Sequence, residues 1–72
     1  MNDLIENVTI VYKNGFRRLC EVISITEKGV YTGFIKSSSK KDVFVNNSFI
    51  PVDQIQKIIV FKRNGRFRNI NF

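Results

Sequence analysis

The sequence contains no histidine and no tryptophan, and only one cysteine, one proline and one methionine. Without histidine, neither a Ser-His pair, a Cys-His pair nor a His-bearing metal site can be assembled. The single Cys20 cannot close an internal disulfide, on which small secreted domains usually depend, so it points to a reducing compartment. It reads as a small core residue rather than a reactive thiol. Long hydrophobic runs are also missing. The longest, Ile58 to Phe61, falls far short of the ~20 apolar residues that span a bilayer. No basic residue precedes an apolar stretch of signal-peptide length at the N-terminus, which leaves the cytoplasm as the expected location. Carboxylates are few and scattered, with no two at a spacing that predicts an acid-base pair. Ser37 to Ser39 lie beside Lys40, but a polar, flexible stretch does not position a nucleophile. The expectation is a binding protein and not an enzyme, with no metal and no cofactor.

Acidic residues are absent altogether from the last quarter of the chain. Residues 1–53 carry seven basic and six acidic side chains, whereas residues 54–72 carry Lys57, Lys62, Arg63, Arg66 and Arg68 and no acid. Nearly all of the net charge of +6 therefore belongs to the C-terminal segment. Segregation of this kind is the electrostatic footprint expected of a chain that meets a polyanion.

What the sequence does contain is enough apolar material to fold. Its 72 residues are 43% hydrophobic and 12% aromatic, which excludes disorder throughout and leaves room for one core. A domain this small buries only about 60% of the surface its unfolded chain exposes, so an isolated monomer is expected to be marginal and self-association is an open alternative.

Punctuation by turn residues predicts strands. Met1 to Asn7 have no sustained period and read as a frayed start or one helical turn capped by Asn2 or Asp3. Val8 to Tyr12 are β-branched or aromatic, and Asn14-Gly15 predicts a two-residue type I′ hairpin. That register pairs Tyr12 with Arg17 and Ile10 with Leu19, with Val8, Ile10, Tyr12 and Leu19 on one face. A second strand runs from Phe16 to about Ile25, where Glu21 breaks the apolar face and suggests a bend or a sheet edge. Thr26 to Gly29 read as a turn and Val30 to Ile35 as a third strand, in which Gly33 marks a bulge or a close backbone approach.

Lys36 to Asp42 read as a solvated loop, Val43 to Val45 as a short strand and Asn46 to Ser48 as another turn. Pro51 cannot donate to a sheet ladder, which places one helical or 3₁₀ turn at Pro51 to Gln56. Lys57 to Lys62 then form a strand, Asn64-Gly65 a second hairpin turn, and Arg66 to Phe72 the returning strand. No helix of ordinary length fits. The two tips, YKNGFRR at 12–18 and FKRNGRFR at 61–68, are alike through shared turn chemistry rather than through duplication.

Five or six short strands with one turn between the fourth and fifth resemble a small SH3-like or Sm-like β-barrel. Val8, Ile10 and Tyr12 followed by Gly15 look like the alternating start of the first Sm motif. IVFKRNGRFRNI at 59–70 looks like the second, in which an apolar strand runs into a basic-glycine turn. The sequence departs from that pattern at Cys20, where the family has a glycine, at Glu27, where it has an aspartate, and at Val30, where its base-contacting asparagine would stand. The resemblance thus implies an all-β barrel of five or six strands rather than uridine-type RNA recognition. IPVDQIQKI at 50–58 is also similar to the end of YolD-like and WYL-type barrels.

The basic hairpin is the leading functional candidate. In a type I′ register Arg63 pairs with Arg66, Lys62 with Phe67 and Phe61 with Arg68, so that cations leave both faces of the tip. Such a ribbon tracks phosphates or enters a groove, and Phe67 among arginines stacks on an unpaired base. The candidate nucleic-acid contacts are Lys62, Arg63, Arg66, Phe67 and Arg68, with Lys13, Arg17 and Arg18 as a second patch. Phe16, Phe34, Phe44, Phe49, Phe61 and Phe72 read as core. Against this stands a merely solvated hairpin, charged to blunt a sheet edge. A second alternative is an adaptor or inhibitor, encoded by a phage or mobile element, that meets an acidic protein. A third is a homo-oligomer joined through the Val43 to Val45 and C-terminal strand edges. A membrane surface is the weakest fit, because the cations lie on a hairpin and not on an amphipathic helix.

Overall fold

The computed structural model describes residues 4–72. Six strands form one antiparallel sheet: β1 (Leu4–Tyr12), β2 (Arg17–Ile25), β3 (Gly29–Ser37), β4 (Asp42–Pro51), β5 (Ile55–Phe61) and β6 (Phe67–Asn71). Their order is β4-β3-β2-β1-β5-β6. The first four make a meander, and a single 3₁₀ turn, Val52–Gln54, carries the chain across to the free side of β1. The crossing is tied at both ends, because Val52 N–H donates to the Lys28 carbonyl at 2.9 Å and Lys13 N–H to the Gln54 carbonyl at 2.9 Å. The all-β class and the one short helical turn agree with the sequence reading. The sheet is strongly curled and ends in two edges, since β4 and β6 each have one neighbour.

Curling lets one face of the sheet fill its own interior. Val8, Ile10, Ile23, Val30, Ile50, Ile55, Ile58 and Val60 form one buried cluster drawn from β1 to β5. The expected phenylalanine core is not there. Phe16, Phe34, Phe49, Phe61, Phe67 and Phe72 are all exposed, and Phe44 is half-buried. Compact β-branched side chains occupy the narrow interior, and the rings fall at turns, on edge strands or on the outer face. One such ring, Phe49, packs on Tyr31 with centroids 4.8 Å apart.

Both Asn-Gly hairpins are one residue longer in the loop than a type I′ turn allows. Gly15 N–H donates to the Tyr12 carbonyl at 3.0 Å and Tyr12 N–H to the Phe16 carbonyl at 2.8 Å. Gly65 N–H and Lys62 N–H make the same two bonds, to Lys62 and Arg66, at 3.1 and 2.8 Å. Only the glycine takes positive φ in each loop, +93° at Gly15 and +83° at Gly65. The asparagine side chain instead accepts from the amide two residues on, Asn14 from Phe16 and Asn64 from Arg66, each at 3.0 Å. This is the three-residue loop of a type I turn closed by a left-handed glycine. The register moves by one, and a one-residue slip exchanges the two faces of a strand. Leu19 accordingly pairs with Thr9 and is 84% exposed, while Arg18 takes the place opposite Ile10.

Three further expectations change. Strand β1 begins at Leu4, so Leu4 to Asn7 are not helical, while the proposed caps Asn2 and Asp3 lie outside the described residues. Strand β4 is continuous through Asn46 to Ser48, where a turn was expected. Asn47 is the extra residue of a bulge, because Gly33 pairs with Asn46 and Thr32 with Ser48. Gly33 is required there, since a Cβ would collide with the Val45 carbonyl oxygen. The Thr32 hydroxyl donates to the Asn47 side-chain amide oxygen (Oδ1) at 3.0 Å and also bonds the Ser48 hydroxyl. The polar loop is shorter than read, because β3 extends to Ser37 and β4 starts at Asp42.

The alternation of faces breaks at Glu21, where the sequence reading expected a bend or a sheet edge. Ile5 and Val8 both reach the core from β1, as do Cys20 and Ile23 from β2, although strict alternation puts residues three apart on opposite faces. The pleat is reset between them, where Asn7 holds a φ of 56°.

Candidate nucleic-acid interface

The β5–β6 hairpin is a ribbon with two chemically different sides. Phe61 pairs with Phe67, Val60 with Arg68 and Ile58 with Ile70. Phe61 and Phe67 therefore share the outer face, with ring centroids 6.4 Å apart. Arg68 lies on the other side beside Val60, and Lys62 and Arg66, the bonded pair that closes the loop, continue that side. Arg63 sits in the loop itself. The expected pairing of Arg63 with Arg66, and of Phe61 with Arg68, does not occur, and the cations are not distributed over both faces. Three of them share one side and the two rings share the other.

The second patch lies elsewhere. Tyr12 pairs with Ile55 at the start of β5, whereas Val8 pairs with Val60 near its end. The β1–β2 loop with Lys13 is thus at the opposite end of the sheet from the β5–β6 loop. At ~3.3 Å per residue the bases of the two loops are about 20 Å apart along β5, and the tips are farther still. Arg17 and Arg18 point to different sides: Arg17 pairs with Val11 and is exposed, and Arg18 pairs with Ile10 and is half-buried. Lys57 pairs with Val11 from the other flank, so Arg17 and Lys57 bracket Val11 on the outer face, about 10 Å apart across two strand spacings. Lys57 was counted in the charge but not singled out as a site. The two-residue step from Lys57 through Ile59 to Phe61 was the available signal.

The outer face between these cations mixes apolar and small polar side chains. Leu19, Thr9, Ile59 and Asn69 form one row across β2, β1, β5 and β6. Thr9 and Val11 are buried on this side even though the core is on the other. A wide-mouthed depression of about 320 Å³ opens between Leu19 and Phe61, with Asn7, Val8, Cys20 and Glu21 around it. The Cys20 thiol beside it donates to the Arg18 carbonyl at 3.8 Å. Burial pushes that thiol above its ordinary range, and the Arg18 charge partly opposes the rise. Leu19 escaped the sequence reading because the hairpin register was one residue off.

A second depression, of about 220 Å³, lies where β2 and β3 part. Those strands pair only from Val22 to Ile25 and from Val30 to Gly33, and Arg18, Leu19 and Phe34 border the fork. No three Cys, Asp or Glu side chains come together as metal ligands among the described residues. No described helix is long and apolar enough to cross a membrane.

The class defined by this architecture is a small all-β domain built on one curled six-stranded antiparallel sheet. No protein-family model matches the chain, and no curated protein or solved structure compared with it matches either.

Proposed function

We propose that this chain is a cytoplasmic nucleic-acid-binding module of the SH3-like or Sm-like kind, and not an enzyme. Lys62, Arg63, Arg66 and Arg68 hold phosphates at the C-terminal hairpin, and Lys13, Arg17 and Arg18 supply secondary contacts. The observation that carries this reading is charge segregation on a two-stranded ribbon. Five cations and no carboxylate occupy residues 54–72, and Lys62, Arg66 and Arg68 share one side of it. Like charges set opposite each other cost roughly 0.2–1 kcal/mol, and a polyanion relieves that cost while releasing its own counterions.

The test is a fluorescence-anisotropy titration against mixed-sequence single and double strands at two salt concentrations. Binding should weaken steeply with salt. The double variant Arg63→Ala/Arg66→Ala should lower the slope of log K against log salt by about 1 to 2 and weaken all sequences alike. Absence of binding at low salt overturns the proposal. The same cations would then be assigned to an acidic protein surface, with the chain acting as an adaptor or inhibitor.

A further inference from the structure

Charge accounts for one side of the β5–β6 ribbon and leaves the other unexplained. On the outer face Phe61 is 47%, Phe67 62% and Leu19 84% exposed. These side chains are neighbours, with Phe67 across from Phe61, Ile59 two residues along β5, and Leu19 in the row of Ile59 and Thr9. A band of exposed apolar side chains, broken on β1 by the buried Thr9, therefore crosses the sheet from β6 to β2, about 14 Å over three strand spacings. An exposed apolar patch that lies outside the core and extends inward from the edge strand marks a contact surface.

Resting on the nucleic-acid reading above, we propose that the ligand is single-stranded. Its bases stack on Phe67 and Phe61, one of them enters the depression between Phe61 and Leu19, and its phosphates are held by the cations at the tip and flanks. The charge distribution selects this occupant over an apolar peptide. The rings adjoin the loop cation Arg63; Lys62, Arg66 and Arg68 lie on the reverse side of the same two-stranded ribbon, Arg17 and Lys57 stand farther along the outer face, and Glu21 borders the depression. Flat rings flanked by cations suit a polyanion with exposed π-faces, and stacking on such rings is tolerant of sequence. A duplex keeps its base faces inside the helix, so the rings would remain in water. Because β6 is an edge strand, a single strand rounding it reaches both sides of the ribbon.

The experiment compares labelled oligothymidylate and oligouridylate, an abasic strand of equal length and a duplex. Wild-type protein should prefer the base-bearing strands over the abasic one by about 5- to 150-fold per stacked base. Phe67→Ala and Phe61→Ala should each reduce that preference while leaving the abasic affinity and the salt slope unchanged. Phe67→Tyr should preserve the preference and Phe67→Leu should not, which separates stacking from simple apolar burial. Circular dichroism and light scattering on each variant establish that fold and mass are unaltered. Equal wild-type affinity for abasic and base-bearing strands overturns this inference and leaves the phosphate reading standing. A preference retained in both alanine variants also overturns it, as does a change of mass that exposes the band as a contact between copies. Failure to bind any strand overturns both readings.

Discussion

Phe61 and Phe67 face each other across the outermost ladder of the sheet, with ring centroids 6.4 Å apart and planes inclined by 51°, and neither ring is covered by the core. Their mutual contact holds the ribbon without fixing the fold. In a double-mutant cycle to alanine the coupling should be about 0.5–1 kcal/mol by denaturant unfolding. A loss of several kcal/mol for either single variant would mean that the rings belong to the core after all.

Substitution inside the curled sheet should behave very differently. Ile10 and Ile58 are fully buried and meet across β1 and β5. Replacement of either by alanine removes buried methylenes and leaves a cavity, at a cost of about 2–5 kcal/mol. In a domain of marginal stability this is enough to abolish the cooperative transition, whereas Ile10→Val should cost about 0.5–1.5 kcal/mol and retain it.

The glycines divide into two kinds by the reason each is needed. At Gly15 and Gly65 an added Cβ meets nothing within 4 Å, so alanine there suffers only from its left-handed backbone, about 1–2 kcal/mol and similar in the two loops. Gly33→Ala strikes backbone rather than a movable side chain, and the β3–β4 bulge should be lost with it. Thermal unfolding of the three variants should rank Gly33→Ala well below the other two.

Cys20 gives a pH-dependent readout of the strand that carries Leu19. Burial raises its pKa and Arg18 opposes the rise, so the thiol stays protonated further into alkaline solution than a free one. Iodoacetamide should alkylate native protein more slowly than denatured protein at mildly alkaline pH, because the thiolate is the reactive form. Arg18→Ala removes the opposing charge and should slow native alkylation further. The stabilising effect of keeping the thiol neutral is complete below the ordinary thiol pKa and is lost as pH rises through the higher native one. Equal alkylation rates in native and denatured protein would contradict this.

How much of this was legible in the sequence depends on which interaction settles each feature. Strand boundaries follow β-branched runs and turn residues, so β2, β3, β5 and the 3₁₀ turn after Pro51 were readable within a few positions. The two Asn-Gly loops were readable as turns but not in type. Asn-Gly suits a two-residue loop as well as a three-residue one, and the choice rests on whether the asparagine adopts positive φ or bonds forward through its side chain. That choice moved Leu19 from the expected core to the outer face and gathered Lys62, Arg66 and Arg68 on one side. The placement of phenylalanine was illegible for another reason, since hydrophobicity alone does not tell a ring from an isoleucine when the interior is too narrow for rings. The charge of the hairpin, by contrast, needed no structure.

All eight members of the buried cluster come from β1 to β5, and β6 adds to it only the half-buried Ile70. The last strand is therefore joined to the domain by one ladder, by Ile70 and by the Phe61–Phe67 contact, and it contributes little to the core that holds the rest. Its amides should exchange with solvent through local opening, at a free-energy cost well below that of global unfolding. A ligand that grips Arg66, Phe67 and Arg68 would then slow exchange in β6 while leaving β3 and β4 unaffected, so occupancy would be recorded chiefly in the lifetime of a single strand.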